Sequence, residues 1–67
     1  MSNARIRVVG KLGRASRGLT LTTAENEIWV IETDQAHEEF HGLSVVVEGT
    51  VTGFDRLRAD WLGPHAL

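Results

Sequence analysis

Apolar residues fall at every second position through most of this chain, and a period of two writes β-strands. The clearest stretch is Leu43 to Leu62, LSVVVEGTVTGFDRLRADWL. Leu43, Val45, Val47, Gly49 and Val51 alternate with Ser44, Glu48 and Thr50. Beyond Thr52-Gly53-Phe54 the alternation resumes, with Leu57, Ala59 and Trp61 set against Arg56, Arg58 and Asp60. This predicts a hairpin whose first set faces a core and whose second faces out.

The chain ahead of the hairpin follows the same logic. Ala4 to Leu12 is a strand, with Ile6, Val8, Gly10 and Leu12 inward and Arg5, Arg7, Val9 and Lys11 outward. Gly10 marks a bulge or sharp bend within it. Gly13 to Gly18 is a loop carrying Arg14 and Arg17. Gly18 to Thr23 is the second strand, Ala24-Glu25-Asn26 a turn, and Glu27 to Glu32 the third strand, apolar on both faces. Asp34 to His41 predicts a short helix, capped by Thr33 or Asp34 and ended at Gly42, with Phe40 plugging one end of the barrel.

Five short strands with a helix between the third and fourth is the element order of the OB-fold. The expected fold is therefore all-β, an OB-fold-like five-stranded Greek-key barrel. An SH3-like barrel is the runner-up and does not usually place a helix there. The expected core is Ile6, Val8, Leu12, Leu19, Leu21, Trp29, Ile31, Phe40, Leu43, Val45, Val47, Val51, Leu57 and Trp61.

Size narrows the range of functions. Sixty-seven residues make one domain, 1–67, with residues 1–4 and 63–67 as expected flexible ends. A chain this short buries only about 60% of its unfolded surface, which excludes a deep cleft between two lobes. The absence of cysteine removes disulfides, thiolate metal sites and thiol chemistry, and fits a reducing compartment. The only apolar run near the start is Ile6, Val8 and Val9. A signal peptide needs about 7–15 apolar residues and a membrane span about 20, so the expected location is the cytoplasm, with no membrane partner.

The segments I-R-V-V-G-K-L, E-I-W-V-I-E and V-V-V-E-G-T-V-T-G-F-D-R-L-R-A-D-W-L resemble a group of short bacterial OB-like domains of unknown function. The likeness runs from Arg5 to Gly63 and is most specific between Val47 and Leu57. It implies a fold and a bacterial source, and it supplies no catalytic residues.

Three constellations are candidates for chemistry. His37-Glu38-Glu39-Phe40-His41 is a literal H-E-x-x-H, the pattern that sets two histidines on a zinc ion with a glutamate as general base. Here it fills a helix of about two turns, and the remaining histidine, His65, lies near the end of the chain. A motif counts only in its structural context. The motif reads as a solvated face, and no metal, cofactor or catalytic residue is expected.

Net charge is −2, too small to indicate a partner, but its distribution is uneven. Arg5, Arg7, Lys11, Arg14 and Arg17 lie in the first seventeen positions without an acid, whereas Glu25 to Asp55 holds eight acids and no Lys or Arg. In an OB-fold a basic strand and the loop after it can track a phosphate backbone. Single-strand binders also need exposed aromatic rings, and of the four aromatic residues only Phe54 falls in a turn. Weak single-stranded nucleic-acid binding is thus the alternative reading. The third constellation is apolar: Val9, Ile28, Val30, Val46 and Leu62 fall on expected outer faces and would mark a protein contact if contiguous. The favoured expectation is a non-enzymatic binding module with a protein partner, possibly a second copy of itself.

Overall fold

The computed structural model describes residues 5–16 and 18–65, and its five strands close into a barrel. They are β1 (Arg5–Ala15), β2 (Gly18–Thr22), β3 (Ile28–Glu32), β4 (Ser44–Gly53) and β5 (Arg56–Pro64). The order around the barrel is β1-β2-β3-β5-β4, and β4 pairs back to β1. Every pairing is antiparallel except β3 with β5.

β1 serves two neighbours. Its first part pairs with β4 and its last part with β2, and Lys11 is opposite both Ser44 and Thr22. Gly10 sits at this handover, where a Cβ would stand 2.5 Å from the Thr22 carbonyl oxygen. The missing side chain lets the β2 backbone approach closely where β1 passes from one neighbour to the other. Past Gly10 the strand continues to Ala15, and the expected loop at Gly13 to Gly18 contracts to a hairpin in which Ala15 faces Gly18. The β2–β3 turn falls where expected: Asn26 takes a left-handed φ of 66° and donates its N–H to the Thr23 carbonyl.

The core contains Leu12, Leu21, Ile31, Val45, Val47, Leu57, Ala59 and Leu62, with Ile6, Val8, Leu19, Trp29, Phe40 and Val51 packed against it. Two residues expected inside are not there. Trp61 is 46% exposed. The β4–β5 register shifts between Glu48 and Gly49: Trp61 faces Glu48 while Ala59 faces Gly49, leaving Asp60 as an extra residue. This β-bulge reverses the parity of β5, so Leu62 turns inward and Trp61 outward. Leu43 is exposed because the strand begins one residue later, at Ser44; its backbone instead bonds Leu12 and Phe40.

Three residues expected on the surface are buried: Val30 (4% exposed), Val46 (3%) and Leu62 (1%). The bulge accounts for Leu62. Val46 does face outward, between Val9 and Gly63 in the register, and the Trp61 ring lies across Gly63, 2.7 Å from where a Cβ would stand. Val30 lies between Thr20 and Arg56 on the neighbouring strands.

The expected helix is reduced to one 3-10 turn, Glu38–Phe40. The Thr33 hydroxyl accepts the Gln35 N–H at 3.0 Å, closing a local turn instead of capping a helix. Gln35 then does the work of a missing strand. β3 ends at Glu32, so β5 has no strand partner on that side beyond Arg58. The Gln35 Oε1 accepts the Leu62 N–H at 3.0 Å, and its Nε2 donates to the Leu62 carbonyl at 2.6 Å. Gln35→Ala leaves both backbone groups of a buried residue unpaired and is expected to cost about 1–3 kcal/mol. Amide hydrogen exchange at Leu62 should accelerate in step with the loss. Unchanged protection would mean the amide clip is ornamental.

Gly63 and Pro64 pair with Val46 and Val45, and the His65 N–H reaches the Ser44 carbonyl at 3.0 Å, so the chain is held further along than expected. Residues 1–4, 66 and 67 of the expected flexible ends lie outside the described residues.

Candidate functional site

The basic stripe is partly neutralised by the barrel itself. The bulge presents Asp60 to Arg5, whose guanidinium donates to both carboxylate oxygens, Oδ1 at 3.0 Å. Glu48 stands 3.5 Å from Arg5 and 3.8 Å from Arg7, its register partner. Arg5's hydrogen bond, more than its charge, lowers the Asp60 pKa from its ordinary value, and the same contact raises that of Arg5. Lys11 and Arg14 are exposed and make no ion pair among the described residues. Arg17 lies outside the described residues. Among the described residues, Lys11 and Arg14 are the part of the expected stripe that makes no ion pair.

The H-E-x-x-H segment does not form the helix its zinc chemistry requires. His37 precedes a turn of three residues, and its side chain caps nothing. The two rings stack instead, with centroids 5.1 Å apart and planes 12° from parallel, and His37 Nδ1 lies 3.0 Å from His41 Nε2. One facing nitrogen must carry a proton and the other accept it. The Glu38 carboxyl has its pKa lowered first by its own backbone N–H, then by that of His37 and by the His37 charge. Among the described residues no three His, Asp or Glu side chains converge as a metal site.

The apolar candidates separate. Val9 borders a cleft of about 490 Å³ with Lys11, Thr22 and Ser44. Ile28, 54% exposed, borders a different one of about 320 Å³ between the start of β3 and the β4–β5 turn, with Glu27, Trp29, Phe54 and Asp55. Phe54 is fully exposed. It occupies the two-residue turn between Gly53 and Arg56, where no neighbouring strand can cover a side chain.

Backbone bonds hold both walls of this second cleft. The Val30 N–H donates to the Asp55 carbonyl at 2.8 Å, tying the turn to β3. On the other wall the Thr23 N–H donates to the Glu27 carbonyl at 2.9 Å, and the Glu27 N–H to the Thr23 hydroxyl at 3.2 Å. The resulting surface joins an aromatic ring, a half-buried indole and an isoleucine to two carboxylates, and the described residues of its lining include no Lys or Arg.

Residues 5–65 match the model of a family described as a protein of unknown function, DUF5818. The chain belongs to the DUF5818 family. No curated protein and no solved structure matches it. The matched span of this DUF5818 domain takes in all five strands, the Gly49–Asp60 bulge and the Phe54 cleft. Among its described residues no helix is long and apolar enough to cross a membrane.

The cleft is only half legible in the DUF5818 sequence. Ile28 is found from strand parity, and Phe54 is suspect as an aromatic in a turn. Asp55 joins the site because β3 lies parallel beside β5, which brings Asp55 against Val30.

Proposed function

We propose that this domain is a non-catalytic, OB-like protein-binding module of the bacterial cytoplasm, and that its contact surface is the Phe54 cleft. The observation that carries the reading is the company kept by the exposed aromatic residues. Phe54, the fully exposed ring, stands beside Glu27 and Asp55, and the described residues of its cleft include no Lys or Arg. A nucleic-acid platform needs its rings within positive potential, because a phosphate chain must pass over them. Rings bordered by carboxylates suit a protein surface, where exposed aromatic residues anchor contacts. The OB-like assignment draws support from the closed five-stranded barrel and from the expected element order. The cytoplasmic setting draws support from the absence of cysteine. The bacterial source follows from the resemblance of Arg5 to Gly63.

A two-dimensional amide NMR titration with a mixed single-stranded oligonucleotide at low salt tests the choice of partner class. The expected result is no salt-sensitive shift along β1. Shifts at Arg7, Lys11 and Arg14 that vanish on adding salt would transfer the function to nucleic acid. A dilution series by sedimentation in the same buffer tells a second copy from a foreign partner.

A further inference from the structure

The first part of β1 is an open sheet edge. β1 pairs with β4 from Arg5 to Lys11, but with β2 only from Lys11 onward. On the β2 side, Arg5 to Val9 have no strand neighbour among the described residues. Successive residues of a strand turn their backbone groups to opposite edges. Leu12 donates its N–H to the Leu43 carbonyl and accepts the Gly42 N–H, so the even-numbered residues of β1 face β4. The register with β4 runs unbroken from Arg5, so the N–H and C=O groups of Arg5, Arg7 and Val9 face the open edge.

The barrel closes the opposite edge of the same β1-β4-β5 sheet. Beyond Arg58, β5 also lacks a strand neighbour, and there the Gln35 amide takes both backbone groups of Leu62 while Pro64 has no N–H to offer. No such clip is found at Arg5 to Val9 among the described residues. Ile6 and Val8 are only partly buried, whereas Leu12 in the same inner row is fully buried.

Side-chain charge selects what can join this edge. Its outer row is Arg5, Arg7 and Val9, continued by Lys11. Asp60 and Glu48 hold Arg5, but Arg7 has only Glu48 at 3.8 Å, and Lys11 makes no ion pair among the described residues. Side chains directly opposite on paired strands stand about 4.5–5.5 Å apart, and like charges there are destabilising. Two copies of Arg5 to Val9 joined antiparallel, with their faces aligned, would set two of these basic side chains against each other. Charged residues on an edge guard against that self-pairing and leave the edge to an acidic strand.

We propose that the Arg5–Val9 edge of β1 receives an extended segment of a partner protein as an added strand, with acidic residues on its outer face and apolar residues beside Ile6 and Val8. The cleft lined by Val9, Gly10, Lys11, Thr22, Thr23 and Ala24 marks the point where β2 leaves β1 and the added strand takes its place. This is a second protein surface, and it uses no residue of the Phe54 cleft.

The probe is a capped seven-residue peptide of alternating glutamate and valine. One control replaces each glutamate by lysine. A second carries a methyl group on every backbone nitrogen and cannot form a ladder. Near saturation with the glutamate peptide, hydrogen exchange at Arg7 and Val9 should slow about tenfold, while Ile6 and Val8, already bonded to β4, stay unchanged. Binding should weaken about fivefold with the lysine peptide and about threefold in Lys11→Glu, and the methylated peptide should not bind. Lys11 is exposed, so the variant should melt with the parent. Unchanged exchange at Arg7 and Val9 would overturn the proposal, as would equal binding of the glutamate and lysine peptides. Binding that survives methylation would reduce the contact to charge alone and overturn strand addition. Protection of Arg7 and Val9 that rises with protein concentration and no peptide would hand the edge to a second copy and overturn the foreign strand. The oligonucleotide titration judges the protein-binding reading separately.

Discussion

Gly49→Ala is expected to remove a large share of the domain's stability, about 2 kcal/mol or more. A Cβ at position 49 would stand 2.0 Å from the Arg58 carbonyl oxygen and 2.8 Å from the Ala59 Cα. Both obstacles are backbone, so no side chain can rotate away. Relief requires β4 and β5 to separate at the bulge, the feature that directs Asp60 to Arg5 and Leu62 to the core. Overpacking a well-filled site costs about 1–3 kcal/mol, and more where backbone must move. At 0.05–0.15 kcal/mol per residue, a domain of this size holds roughly 3–10 kcal/mol in all. Gly53→Ala is the matched control: its Cβ would meet the Arg56 Cβ at 3.4 Å, a distance a side chain can accommodate. Urea melts of the two variants should differ by about 2 kcal/mol or more. Coincident curves would contradict the close approach at Gly49.

The second expectation sets Leu57 against Trp61. Leu57 is fully buried and lies between Ile31 on β3 and Val51 on β4. Leu57→Ala should cost about 2–5 kcal/mol, which a barrel this small can barely survive. Trp61 is the larger residue, and a buried tryptophan would cost about 3–5 kcal/mol on truncation. Half-exposed outside the barrel, it loses only its cover over Gly63, and Trp61→Ala should cost about 1 kcal/mol. Denaturant midpoints give the order directly. If Trp61→Ala is the more damaging change, β5 carries no bulge and its parity runs unbroken from Leu57.

Glycine explains where the period of two can be trusted. Gly10, expected as a bulge or bend, marks a close approach of β2 to β1. Gly49 carries the same signal in β4, yet its effect appears on the other strand, as the extra residue Asp60. A mid-strand glycine announces a close approach without saying which neighbour approaches. Hence Leu57 and Ala59 are legible as core, while Trp61 and Leu62 exchange faces two residues later.

The region between β3 and β4 failed for a different reason. Thr33, Gly42 and the Ala36–Phe40 spacing are real helix signals, and Gly42 does adopt a positive φ of 83°. A helix of two turns has too few internal bonds to outweigh its nucleation. Gln35 was instead drawn to the unpaired backbone of Leu62, twenty-seven positions away. Phe40 nonetheless packs, partly buried, against the core, because burial depends on its size and place more than on the helix.

The local pattern of this chain determined its class, its strands and most of its interior, since alternation, turn residues and glycines act between near neighbours. Tertiary structure alone decided the rest. It decided that Arg5 meets Asp60, that Val46 is buried, and that Glu27 and Asp55 share a cleft. Those juxtapositions follow from register and barrel closure, which bring residues tens of positions apart within bonding distance. No periodicity along a chain encodes the distance between two of its strands.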